Sequence, residues 1–122
     1  MRLAHAAKYR EAAELVATEA ETAPASASVG AGLAVLAGIA AADAACCAAL
    51  GRRSRGQNHQ QALGLLAAVE PGGVDAARDL ERMLDLKDTA HYGVIHMSSA
   101  ELRRALRRAS QLMEFAQRVL AR

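Results

Sequence analysis

The stretch from Val29 to Leu50 limits the folds open to this chain more than any other part of the sequence. It consists mostly of alanine and glycine, and Asp43 is its one charged residue. Alanine is the best helix former, and its small side chain lets neighbouring helices approach closely. The sequence therefore predicts a helix here. β-branched residues are few elsewhere, so no sheet is expected.

This helix is long enough to span a membrane, but its composition favours the interior of a helical bundle. Alanine and glycine gain little from lipid, and Asp43 near the centre would cost roughly 3 kcal/mol to insert. A helix that is apolar all round is also what the centre of a bundle needs. We therefore expect a buried core helix and no membrane partner.

Hydrophobic periodicity and helix-breaking residues divide the rest of the chain. The breaks are a small-residue segment at 22–28, a basic loop after Gly51, Pro71-Gly72-Gly73 and Gly93. Ser26 or Ser28 could cap the second helix, and Asn58 with Gln61 and Ser98-Ser99-Ala100-Glu101 have the capping-box pattern. The predicted helices are Leu3–Glu21, Val29–Leu50, His59–Val69, Val74–Tyr92 and one from near Ser99 to Leu120. Together they predict one all-α domain over 1–122, an up-and-down bundle of about five helices.

Apolar residues at helical spacing predict the side of each helix that faces the core. The inward residues are expected to be Tyr9, Ala12, Ala13, Val16 and Ala20; Ala62, Leu63, Leu66 and Val69; Ala76, Leu80, Met83 and Leu84; and Leu102, Ala105, Leu106, Ala109, Leu112, Met113, Ala116, Val119 and Leu120. The last set gives the clearest amphipathic pattern in the chain.

The cysteines and glycines do not form any of the usual cofactor motifs. Cys46 and Cys47 are adjacent on a predicted helix, where neighbouring side chains point apart and a mutual disulfide is disfavoured. No Cys or His spacing matches a zinc site, and the glycines of the second helix do not follow a strand as a phosphate loop requires. We therefore expect reduced thiols, a cytoplasmic protein, and neither a metal nor a cofactor.

Two polar features interrupt the apolar pattern of the helices. Asp43 is in line with apolar residues, and a carboxylate there should be paired because burying a bare charge is costly. It is either a structural residue bonded to a neighbouring helix or part of a functional site. Lys87 and His91 are four residues apart beside Tyr92, and they continue the core stripe of their helix. They could line a cleft or a subunit interface, or Lys87 could simply extend from the helix end to solvent.

Basic residues are concentrated in two places. Arg52, Arg53 and Arg55 lie in the loop after Gly51, and four more arginines repeat on the polar side of the last helix: Arg103, Arg104, Arg107 and Arg108. Such a row is typical of a phosphate-binding surface or of a solvated helix face. Its only acidic neighbours in the sequence are Glu101 and Glu114, which favours phosphate binding. The chain lacks interleaved aromatic residues, so stacking on single-stranded bases is not expected.

Two segments, Leu33–Leu66 and Leu84–Leu120, resemble the HEPN-domain family. The first combines an alanine-rich helix containing Ala-Ala-Asp, a loop with glycine, and a histidine that opens the next helix. The second combines a Lys–His–Tyr helix end with a serine-capped final helix rich in Ala, Arg and Leu. The resemblance covers most of the chain and rests on the pattern of residue types.

The resemblance implies a usually dimeric helical bundle from a toxin–antitoxin or defence system, often encoded beside a nucleotidyltransferase. Many family members are metal-independent ribonucleases with an arginine, four to six intervening residues, and a histidine. Arg53 and His59 have this spacing, but the family's pair usually lies on a later helix near the dimer interface. The corresponding place here is Lys87–His91, where the arginine is missing and the spacing is shorter.

These observations lead to two hypotheses. The first is an RNA-directed HEPN-like homodimer, either a ribonuclease or a degenerate relative. Its candidate catalytic residues are His91, Lys87, Tyr92 and Asp43, and its candidate RNA-binding residues are Arg52, Arg53, Arg55, His59, Arg103, Arg104, Arg107 and Arg108. The second is a non-catalytic dimeric module that binds another protein, such as a nucleotidyltransferase.

Overall fold

The fold was analysed in a computed structural model that describes residues 2–18, 24–53, 59–92 and 97–122. For residues 24 and 87–92, only the helical backbone is described. Within these ranges the chain forms five helices and no strand. The helices are α1 (Arg2–Ala17), α2 (Pro24–Leu50), α3 (His59–Ala67), α4 (Gly73–Tyr92) and α5 (Ser99–Leu120). The predicted all-α class is confirmed for the described residues.

The start of α2 differs from the prediction. The helix begins at Pro24 rather than at Val29, so Ser26 and Ser28 lie inside it and do not cap it. Proline suits the first turn of a helix, because its missing N–H would have no helical partner there and its φ is already helical. The sequence predicted a break here because proline and small polar residues are also typical of loops.

The other predicted boundaries are closer to the structure. α1 ends at Ala17 and α3 at Ala67, both earlier than expected, and α4 begins at Gly73. The capping box of α5 is confirmed: the Ser98 hydroxyl accepts a hydrogen bond from the Glu101 N–H at 3.1 Å. The Glu101 carboxylate accepts one from the Ser98 N–H at 3.3 Å. The box predicted at Asn58 lies outside the described residues.

The two longest helices, α2 and α5, run in the same direction. A Cβ added to Gly30 would lie 3.0 Å from a methyl carbon of Leu102, and one added to Gly38 would lie 3.1 Å from a methyl carbon of Leu112. From the first contact to the second, the residue number therefore rises along both helices, so the two helices are parallel. Glycine at these two positions allows the α5 leucines to approach the α2 backbone.

α1 is antiparallel to this pair. Arg2, at the start of α1, contacts Asp43 near the end of α2. The carbonyl oxygen of Ala13 lies close to Gly30 near the start of α2. α1 packs mainly against α2 and also against α5.

α4 is also antiparallel to α2 and α5. Gly72, just before α4, lies against Phe115 near the C-terminal end of α5. Leu86, in the second half of α4, packs with Met97 and Leu102 at the start of α5. The four long helices thus alternate in direction, with the short α3 packed mainly on α4.

This arrangement gives the bundle two distinct ends. The C-termini of α2 and α5 and the N-termini of α1 and α4 form one end, which we call the Asp43 end. The N-termini of α2 and α5 and the C-termini of α1 and α4 form the other, which we call the Ser98 end. Gly30 and Asp43 are separated by about 20 Å along α2, from the helical rise per residue.

α2 contributes more residues to the core than any other helix, but it is not buried all round as expected. Its buried residues are mostly alanines, and they face α1, α4 and α5. The opposite face carries Val29 and Leu36, which are 54% and 41% exposed. By length and composition, Ala25–Leu50 could also cross a membrane, with a mean hydropathy of 2.1 and 56% of the apolar window buried within the bundle.

The predicted inward residues of α4 are confirmed, and those of the other helices are confirmed in part. Ala76, Leu80, Met83 and Leu84 are buried. On α1 the buried residues are Ala6 and Ala13, whereas Tyr9 is exposed, Ala12 and Val16 are half-buried, and Ala20 lies outside the described residues. On α3, Leu66 is buried, as is Val69 just after it, while Ala62 and Leu63 are half-buried. On α5 every predicted residue is buried except the half-buried Leu106 and the exposed Leu120; Phe115 is buried too and was not predicted.

We predict that Gly38→Ala lowers the free energy of unfolding by about 1–3 kcal/mol, as overpacking of a core does. The added Cβ would lie 2.7 Å from the Met83 sulfur and 3.1 Å from a Leu112 methyl carbon, so both side chains must move. Gly64→Ala is the matched control, because nothing lies within 4 Å of a Cβ at this helical position. It should stabilise by about 0.5–1 kcal/mol. Urea unfolding measures both, and equal stability of the two variants would contradict the close contact.

Candidate nucleic-acid interface

Asp43 is half-buried at its end of the bundle and is paired within the chain. Its Oδ2 accepts a hydrogen bond from Arg2 Nη2 at 2.8 Å, and Arg53 Nη1 lies 3.5 Å from the same oxygen. The side chain of Asp43 is only 15% exposed. The structural interpretation of Asp43, a carboxylate bonded to a neighbouring helix, therefore fits the geometry, and Arg2 is the partner that the sequence did not reveal.

The two cysteines follow Asp43 on α2 and have different surroundings. Cys46 is buried and Cys47 is exposed, and both are free thiols. Burial, together with the nearby Asp43 carboxylate and Cys47, raises the pKa of the Cys46 thiol to about 11. Cys46 is therefore protonated at neutral pH and acts as a small apolar core residue.

The basic loop begins at the Asp43 end. Arg52 is exposed, and Arg53 is held by the Asp43 carboxylate. His59 begins α3 and is half-buried, while Arg55 lies outside the described residues. Arg53, one of the candidate RNA-binding residues, thus already has a carboxylate partner in its own chain.

The four arginines of α5 form what we call the α5 arginine face, and the structure divides them between two surroundings. Arg104 and Arg108 line an open cleft between α4 and α5, of about 410 Å³, together with Arg82. Asp85 and Glu101 line the same cleft.

A further carboxyl group lies close to these arginines. The pKa of Asp79 on α4 is raised by burial, while the positive charges of Arg108 and Arg82 act in the opposite direction. The sequence suggested that only Glu101 and Glu114 would be near the arginine face. That expectation is wrong, because α4 brings Asp79 and Asp85 to its side.

Arg103 and Arg107 lie on the other part of the face. Both are exposed, and Arg103 borders a second open cleft with Glu14 and Thr18 of α1. None of the four arginines takes part in an ion pair found between described residues. Arg104 and Arg108 share their cleft with the carboxylates of Asp85 and Glu101, whereas Arg103 shares its cleft with one carboxylate, Glu14, and Arg107 lines neither cleft. Arg103 and Arg107 are therefore the better placed of the four to bind an external anion.

The candidate catalytic residues are not brought together within one chain. Lys87, His91 and Tyr92 occupy the last turns of α4, at the Ser98 end, but their side chains lie outside the described residues. Asp43 lies at the opposite end of the bundle. The Ser98 end instead brings the last turns of α4 near the first turns of α5, which carry Arg103 and Arg104.

The described residues offer little to a metal ion. Among them, no group of three or more His, Cys, Asp or Glu side chains could hold one. The sequence places guanidinium and carboxylate groups at this interface, together with the ammonium group of Lys87 and the imidazole of His91 at the end of α4.

We predict that Asp43→Asn lowers the free energy of unfolding by about 1–3 kcal/mol, because it leaves the part-buried Arg2 without its charged partner. Arg53→Gln is the matched control. Arg53 is 48% exposed and lies farther from Asp43, so its removal should cost under about 1 kcal/mol. Thermal unfolding of both variants provides the measurement. If Arg53→Gln lowers the stability more than Asp43→Asn does, the Asp43 carboxylate stabilises the loop at Arg53 rather than the packing of α1.

Comparison of the chain with protein-family models, with curated protein sequences and with solved structures finds no match. The fold assignment therefore rests on the five helices themselves and on their packing. The likeness to the HEPN family rests on the sequence pattern alone and enters the functional argument only as a proposal.

Proposed function

We propose that this chain is an RNA-binding helical domain of the HEPN type, with its RNA contact on the α5 arginine face at the Ser98 end. The observation that carries the proposal is the exposure of Arg103 and Arg107 on the part of α5 that does not line the cleft with the carboxyl groups of α4. Exposed cations that are not neutralised in the folded chain can neutralise phosphates and release counterions, which drives nucleic-acid binding.

Arginine suits this role better than other cations do. Its planar guanidinium donates two parallel hydrogen bonds to a phosphate and remains charged at all relevant pH values. Arg103 and Arg107 are four residues apart on α5 and therefore share one side of the helix. Contacts of this kind follow the backbone of RNA and carry little sequence specificity.

The catalytic version of the proposal assigns the chemistry to the end of α4, in the sequence vicinity of Lys87 and His91. A histidine can exchange a proton near neutral pH and could act on the 2′-hydroxyl, while the lysine supplies positive charge to the phosphate. Asp43 is omitted from this set because it pairs with Arg2 at the other end of the bundle. The toxin–antitoxin or defence setting belongs to the proposal through the HEPN resemblance.

A second candidate function is a non-catalytic module that binds another protein, such as a nucleotidyltransferase. The observation that favours it is the exposure of large apolar residues on α1 and α2, among them Leu15, Val29 and Leu36. Exposed apolar patches mark protein interaction sites when they are contiguous.

We predict that replacing all four arginines of the α5 face with Gln weakens RNA binding and flattens its salt dependence, while the helix is kept. For single-stranded RNA, the slope of log affinity against log salt should fall by about 0.7 for each phosphate that the variant no longer neutralises. Two double variants divide this set: Arg103→Gln with Arg107→Gln, and Arg104→Gln with Arg108→Gln. The first should weaken binding more, because Arg104 and Arg108 lie near carboxyl groups of α4. Fluorescence anisotropy across a salt titration gives both quantities.

The matched control for the first double variant is Arg78→Gln with Arg118→Gln, which removes two exposed arginines outside the α5 arginine face. Equal weakening by this control would mean that only net charge matters and would reject the assignment to the α5 arginine face. Absence of RNA binding by the unaltered protein would leave the protein-binding module as the better candidate.

For the catalytic version we predict that the purified protein cleaves RNA in the presence of EDTA, and that His91→Ala slows cleavage by about 100-fold or more. His5→Ala is the control, because His5 is an exposed histidine of α1 near the other end of the bundle. Unchanged cleavage by His91→Ala would exclude His91 from the chemistry. A protein that binds RNA without cleaving it would support the degenerate, binding-only version.

A further inference from the structure

The second cleft, at the Ser98 end, lies between the last turn of α1 and the first turns of α5 and has a volume of about 420 Å³. We call it the α1–α5 cleft and define it by Glu14 and Ala17 of α1 and by Leu102, Arg103 and Leu106 of α5. Its volume lies within the range of about 300–1,000 Å³ that is typical of small-molecule sites. Arg103 therefore borders a space that is large enough for more than a phosphate group.

The floor of the α1–α5 cleft is apolar. Leu102 is only 1% exposed, and it lies against Gly30 of α2, which has no side chain to displace it. Ala17 and Leu106 are half-buried and pack with Leu102. A flat ring that enters the cleft would be covered by aliphatic carbon rather than by an aromatic side chain, and this removes apolar surface of the ring from water.

The two charged side chains of the cleft have opposite charges and are not paired with each other. Among the ion pairs found between described residues, none joins Glu14 to Arg103. Glu14 has a side chain that is 60% exposed, and its Oε1 lies 3.9 Å from Nε of Arg10, which is too far for a hydrogen bond. The cleft therefore combines an apolar floor with a guanidinium and a carboxylate that can both bind a ligand.

A nucleotide has the groups that these side chains bind. Its phosphate suits the guanidinium of Arg103, and its flat base suits the apolar floor. The carboxylate of Glu14 accepts hydrogen bonds and donates none, so it selects a base whose edge carries donors. Guanine carries two adjacent donors, N1–H and N2–H, on its Watson–Crick edge, and one carboxylate can accept both. The other three RNA bases place an acceptor next to the donor on this edge.

We propose that the α1–α5 cleft binds an unpaired guanine nucleotide of the RNA, with the base over Leu102, its Watson–Crick edge on Glu14 and its phosphate on Arg103. The nucleotide must be unpaired because its Watson–Crick edge is needed for the contact. The inference rests on the proposed RNA contact of the α5 arginine face and adds base specificity to it, since phosphate contacts alone carry little sequence information. Arg107 lines neither cleft and lies about 6 Å farther along α5, where it can bind a neighbouring phosphate.

The test measures the affinity of the full chain for two labelled oligouridines by fluorescence anisotropy. One carries a single central guanosine and the other a single central adenosine. The unaltered chain should bind the guanosine oligonucleotide about tenfold more tightly, as a bidentate base contact allows. Glu14→Gln should abolish this preference, because the amide presents donors in place of one acceptor oxygen. Binding of the adenosine oligonucleotide should persist, since the phosphate contacts are kept.

Glu11→Gln is the matched control for the loss of charge. Glu11 is exposed on α1, forms an ion pair with Lys8 and does not line the cleft, so this variant should keep the preference for guanosine. Ala17→Leu tests the floor without a change in charge, because the larger side chain should occupy the space of the base and reduce the preference. Circular dichroism checks that each variant is folded.

The outcomes separate this inference from the proposed function. Equal affinity of the unaltered chain for the two oligonucleotides would overturn the guanine site and leave RNA binding in place, and so would equal loss of the preference in Glu11→Gln and Glu14→Gln. If neither oligonucleotide binds, the proposed function fails, and titration with guanosine and adenosine monophosphates followed by NMR tests the cleft alone. A selective response to guanosine monophosphate that Glu14→Gln abolishes would support the cleft as a site for the free nucleotide. The same response to both nucleotides, or to neither, would overturn it.

Discussion

α2 packs against α1, α4 and α5, and its small buried side chains allow all three to lie close to its backbone. Helix axes usually lie 8–10 Å apart, and the distance depends on the side chains at the contact. The buried residues of α2 are mostly alanine, with Gly30 and Gly38 at the contacts with Leu102 and Leu112. Because α2 adds so little volume, the larger side chains of α4 and α5 can fill the space around it. These larger side chains include Phe115, which is the only phenylalanine in the sequence.

The parts of the fold that the sequence predicted well are those set by local interactions. The inward residues of α4 and most of those of α5 follow from periodicity, and the start of α5 follows from the Ser98 capping box. The exposed face of α2 could not be predicted in this way. When nearly every residue of a helix is apolar, the sequence contains no contrast between a buried and an exposed side, and only the neighbouring helices decide which is which.

The candidate site was less predictable for a similar reason. Arg2 and Asp43 are far apart in the sequence, and their contact follows from the antiparallel packing of α1 and α2. The arginine face was visible as a pattern, but the carboxyl groups of Asp79 and Asp85 reach it only through the packing of α4 on α5. The sequence thus showed where the charged residues lie along each helix, and only the packing of the helices showed which of them lie near an opposite charge.

The buried face of α2 consists mostly of alanine, and this limits how the chain can vary in evolution. Most core positions of a protein lose stability when atoms are removed, but a buried alanine has almost nothing to remove and is damaged chiefly by added atoms. The permitted residues at the buried positions of α2, such as Ala34 and Ala41, should therefore be confined to the smallest ones. In homologous sequences we expect side-chain size to vary on the other helices. At the buried positions of α2 we expect only small side chains.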